Sequence, residues 1–67
     1  MIQIGDMVET AVYVGNERVP MASGRVVSVR DGVVEVDIMS HHGGAPWITL
    51  HDESHLVKLD LGKHNEL

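Results

Sequence analysis

Asp31-Gly32, set between valine-rich runs in "SGRVVSVRDGVVEVDI", constrains this chain more than any other pair of residues. A two-residue type I′ turn needs positive φ at both central positions, which glycine accepts freely and aspartate tolerates. The turn also sets a register. Arg30 falls opposite Val33, Val29 opposite Val34, Ser28 opposite Glu35, Val27 opposite Val36, Val26 opposite Asp37 and Arg25 opposite Ile38. Val27, Val29, Val34, Val36 and Ile38 then share one face, and Ser28, Arg30, Glu35 and Asp37 share the other. A slip of one residue would carry two carboxylates into the apolar layer, where unpaired charge is costly.

Strand signals recur on both sides of this hairpin, and no window carries a 3.6-residue apolar period. "MVETAVYV" sets Val8, Thr10, Val12 and Val14 on one face, with Met7, Glu9, Ala11 and Tyr13 on the other. "GNERVPMASG", residues 15–24, holds two glycines and a proline, and the expectation is an ordered loop. "SHHGGAP" is a second turn region, and "WITL" is a short strand that sets Ile48 and Leu50 against Trp47 and Thr49. "HDES", residues 51–54, suits a single helical turn, and "HLVKLDL" closes with Val57, Leu59 and Leu61 alternating against Lys58 and Asp60. Residues 1–61 are thus expected to form one domain and residues 62–67 a flexible tail.

With 67 residues, one domain is all the chain can hold, and so small a core leaves stability marginal. The absence of cysteine excludes disulfides and thiolate metal sites. No long uncharged apolar run suggests a membrane span, and "MIQIGDMVET" lacks the basic-then-apolar order of a signal peptide. A cytoplasmic setting is the expectation. The net charge of −5 opposes binding to a phosphate backbone, which depends on clustered cations.

Five short strands, the longest loop between the first two and a helical turn before the last suit a closed small barrel, which leaves no exposed edge. "GDMV" leading into the first strand, then the hairpin stretch, then "WITLHDESHLVKL" resembles the SH3-like small barrels, including their KOW-type members. The resemblance covers roughly residues 4–61. It implies an all-β, five-stranded SH3-like barrel with one short helical turn before the last strand. Gly24 stands where the KOW hairpin opens on a glycine. KOW modules are usually basic around that hairpin, whereas this chain is acidic. The barrel-type dihydrofolate reductases are similar in plan, but their active-site strand reads Val-Gln-Ile-Tyr where this chain has "WITL", so no catalytic residue carries over.

Several side chains could carry chemistry. His51 and His55 are four apart, a spacing that sets both imidazoles on one face of a helical turn, with His41 and His42 across a loop. Neutral imidazoles bind zinc, nickel or copper. No recognised ligand motif frames them, and neither metal nor cofactor is assigned. Tyr13 and Trp47 are the only aromatics and fall opposite the expected core residues, as binding anchors do. Glu17 and Arg18 lie in the expected recognition loop, and Arg30 lies at the hairpin tip. Arg30 with Glu35, and Arg25 with Asp37, are expected to pair across strands. No nucleophile motif frames Ser23, Ser28, Ser40 or Ser54, and so short a chain has little room for a substrate-sized pocket.

These features favour a small non-catalytic module that docks on another protein, with Tyr13, Glu17, Arg18, Arg30 and Trp47 as its binding residues. Two alternatives stand beside it. One is a KOW-like nucleic-acid or ribonucleoprotein factor, favoured by hairpin shape and disfavoured by charge. The other is a homo-oligomer holding a small-ligand or enzymatic site between subunits.

Overall fold

A computed structural model describes residues 1–40 and 42–59. His41, Asp60, Leu61 and the expected tail at 62–67 lie outside the described residues. The protein is all-β: β1 (Met7–Val14), β2 (Glu17–Arg30), β3 (Val33–Asp37), β4 (Ile48–Asp52) and β5 (Val57–Lys58), with a 3₁₀ turn at Glu53–His55 before the last strand. All pairings are antiparallel, in the order β4-β3-β2-β1-β5. The ladder is not closed into a barrel. Strands β4 and β5 are therefore its two edges. Among the described residues no helix is long and apolar enough to cross a membrane.

Asp31 and Gly32 both adopt positive φ, at 52° and 81°, and the β2–β3 hairpin folds as the dipeptide dictates. Its register matches expectation from Arg30–Val33 through Ser28–Glu35 and then shifts. Val26, not Val27, faces Val36, and Arg25 faces Asp37. Val27 is an extra residue that β3 does not match, so the side chains beyond it change faces. Val26 is consequently buried at 1% exposure, while Val27 is 41% exposed.

Residues 15–24 are not a loop. Gly15, with φ 63°, and Asn16 form a two-residue turn, and the long strand β2 begins at Glu17. A second irregularity lies between Glu9–Ser23 and Ala11–Pro20, where two β2 residues oppose the single Thr10. Proline has no amide hydrogen to give a ladder, and a bulge is one of the few strand sites that accepts it. Thr10 fills the gap with its hydroxyl, which donates to the Ala22 carbonyl at 3.0 Å and accepts from the Ala22 amide at 3.1 Å. The side-chain bridge replaces the missing ladder contacts. Past this bulge Val12 and Val14 turn outward and Ala11 turns in, contrary to simple alternation through β1.

The core is aliphatic: Ile2, Val8, Val26, Val34, Val36 and Leu56 are buried, with Val29 and Ile38 packed against them. Strand β4 takes its parity from β3. Val34 pairs with His51 and Val36 with Thr49, so these two polar residues share the inner face, and Ile48 and Leu50 stand outward. In the last segment Leu56 enters the core and Val57 is exposed. Gly24 marks a close approach, since a Cβ there would come within 2.9 Å of the Asp37 carbonyl carbon and the Ile38 Cα. Gly5 N–H to Val26 C=O, Val26 N–H to Asp6 C=O and Leu59 N–H to Met7 C=O fasten the flanking segments to the sheet, and Glu53 N–H to Gly32 C=O holds the 3₁₀ turn against the hairpin.

Candidate functional site

Bulges bend the strand that carries them, and β2 has two. The curled sheet brings the outer part of the β1–β2 hairpin opposite edge strand β4. Between them lies an open groove of about 690 Å³, larger than so short a chain was expected to hold. One wall carries Val12, Tyr13 and Met21, and the other carries Leu50, His51 and His55. Ala11, Ala22 and Ile38 add apolar lining, and Thr10, Thr49 and Asp52 add polar groups. A smaller hollow of about 330 Å³ lies on the other side of Leu50, lined by polar and charged groups that include Arg30, Asp31 and Glu35.

The polar groups of the groove are tied to one another. His51 Nε2 lies 2.6 Å from Thr49 Oγ1, and the Thr49 hydroxyl also reaches the Val36 carbonyl at 3.4 Å. Burial holds the His51 imidazole below its ordinary pKa, and repulsion from His55 adds to that effect. The His55 ring lies against Tyr13, with centroids 4.9 Å apart and planes tilted by 46°. Asp52 caps the 3₁₀ turn: its Oδ1 accepts from the Ser54 hydroxyl at 2.7 Å and the Ser54 amide at 2.9 Å. Those two bonds hold the Asp52 carboxyl below the usual carboxylate range. Among the described residues no group of three or more His, Cys, Asp or Glu side chains is placed to hold a metal ion.

Of the residues singled out in the sequence, Tyr13 lines the groove and Arg30 lines the smaller hollow. Arg18 donates to Glu9 Oε1 at 2.8 Å and to the Glu9 carbonyl at 3.4 Å, so its guanidinium braces the β1–β2 hairpin. Glu17 faces Val14 beside the turn, and Trp47 stands exposed just before β4; neither lines the groove. Tyr13 and Arg18 are cross-strand partners with Glu17 beside them on the β1–β2 hairpin, whereas Arg30 lines the smaller hollow and Trp47 lines neither. The expected cross-strand ion pairs are also not formed. Among the described residues the pairs are Arg18–Glu9 and Lys58–Asp6, while Asp37 Oδ1 accepts from the Met39 and Trp47 amides and fastens the β3–β4 connection.

The groove residues that sequence reasoning passed over are Val12, Met21, Thr49 and Leu50. Strict alternation puts Val12 and Leu50 on the core face, and Met21 falls in the expected loop. For Val12, Met21 and Leu50 the signal is an excess of large apolar side chains over what one small core can absorb. No protein-family model, curated protein or solved structure matches the chain.

Proposed function

We propose that this chain is a non-catalytic, SH3-like interaction module that docks another protein segment in the groove between β4 and the β1–β2 hairpin. The strand order and the 3₁₀ turn before the last strand support that architecture. The observation that carries the reading is the groove itself: apolar side chains line it, and one wall is a sheet edge. An extended segment can add to such an edge through main-chain hydrogen bonds while its side chains occupy the hollow. Thr49 engages the His51 imidazole and Tyr13 the His55 ring.

Affinity capture from host lysate at low and high salt tests the reading, with Met21→Asp as the groove variant. A protein partner held at both salt concentrations by the wild type and lost by the variant is the expected result. Capture of nucleic acid that vanishes as salt rises would instead favour the KOW-like alternative.

A further inference from the structure

We infer that the segment that docks on β4 is the β4 of a second copy of this chain, so that two sheets join across a two-fold axis at Leu50. The inference names the partner of the groove proposed above and rests on that reading.

Strand β4 lacks several of the devices that usually keep sheet edges apart. It holds no proline, no lysine and no bulge, and its five residues pair with β3 without a shift. The direction of its free backbone groups follows from two hydrogen bonds. Ile38 N–H donates to the Trp47 carbonyl and Glu53 N–H donates to the Gly32 carbonyl. Those bonds flank the pairs Asp37–Ile48 and Val33–Asp52, making them the non-hydrogen-bonded kind, and by alternation Glu35–Leu50 is the same. The N–H and C=O of Leu50 and the N–H of Ile48 therefore point away from β3, toward the open edge.

A two-fold axis at Leu50 satisfies these groups reciprocally. Leu50 faces Leu50 of the partner subunit, and each donates its N–H to the other's carbonyl. Thr49 then faces the partner subunit's His51, and Ile48 faces the partner subunit's Asp52. Asp52 is the only carboxylate on β4, and this register sets it across from an aliphatic residue, so no like charges meet. The exposures also fit. Leu50 is 65% and Met21 64% exposed, although among the described residues the core cluster amounts to six aliphatic side chains. Small chains of this kind gain stability by assembling, and closed two-fold pairs are the commonest solution.

Sedimentation equilibrium of the full chain from micromolar to millimolar concentration tests the inference, using the wild type, Leu50→Lys, Leu50→Glu and an equimolar mixture of the two variants. The wild type is expected to reach twice its 7.3 kDa mass. Each variant alone places two like charges face to face and should dimerise at least about tenfold more weakly. The mixture should recover the dimer, because a lysine then meets a glutamate. A wild type that stays monomeric overturns the inference, as does a Leu50→Lys dimer as tight as the wild type or a mixture that does not recover. A monomeric wild type that still captures a host protein through the groove removes the second copy as occupant and leaves the docking reading standing.

Discussion

The Thr10 hydroxyl bonds to both the carbonyl and the amide of Ala22, at 3.0 and 3.1 Å, and so does within the β1–β2 bulge what a backbone ladder does elsewhere. Thr10 is itself 3% exposed. Thr10→Val keeps the shape but removes both bonds, leaving Ala22 polar groups without a partner. The expected cost is about 1–3 kcal/mol, and Thr10→Ser should recover most of it. Urea unfolding of the two variants measures the difference; equal losses would remove the hydroxyl's role.

Two valines adjacent in sequence have opposite environments. Val26→Ala should cost about 2 kcal/mol through lost burial and a cavity, whereas Val27→Ala should stay within about 1 kcal/mol. Equilibrium denaturation ranks them. Equal costs would contradict the bulge at Val27.

Gly24 and Gly32 resist substitution for different reasons. At Gly24 a Cβ collides with the backbone of Asp37 and Ile38, which no side-chain rotation relieves, and Gly24→Ala should lose at least about 1–3 kcal/mol. At Gly32 nothing crowds a Cβ, but φ is 81°, so Gly32→Ala should cost about 1–2 kcal/mol. Gly32→Asn should recover part of that loss, and Gly24→Asn should not. Thermal melts of the four variants decide it.

Stability should depend on pH through His51. Its lowered pKa means that the unfolded chain binds the proton more readily than the folded one. The contribution of His51 is complete above pH 6.5, the ordinary value, and is lost as pH falls through the folded-state value. Tm of the wild type should therefore fall on acidification across that range. His51→Gln should reduce the slope, and an unchanged slope would assign the effect to another group.

The hairpin was legible because Asp31-Gly32 dictates its own backbone and fixes the neighbouring pairs. Legibility ended at Val26-Val27, where two identical side chains gave the pattern no means of choosing the extra residue. Gly15-Asn16 was a two-residue turn in plain sight, but Pro20 five residues later made the stretch read as a loop. A bulge removes that objection, because Pro20 lies where the ladder is already interrupted. The site was harder. Tyr13 stood out as an aromatic, yet Met21 and Leu50 meet across a groove made by curvature, which neither local propensity nor alternation encodes.

The two irregularities of β2 share one geometric outcome. Each gives the central strand one residue that the neighbour on that side does not match, a surplus contour of about 3.3 Å against β1 and again against β3. A flat ribbon cannot store that length, so the sheet bows and one margin swings round to overlook the other. Removing Val27 would shorten the middle of the ribbon, straighten it and spill the hollow into open solvent. The shape of this protein is thus written as a mismatch in strand length, in two single insertions.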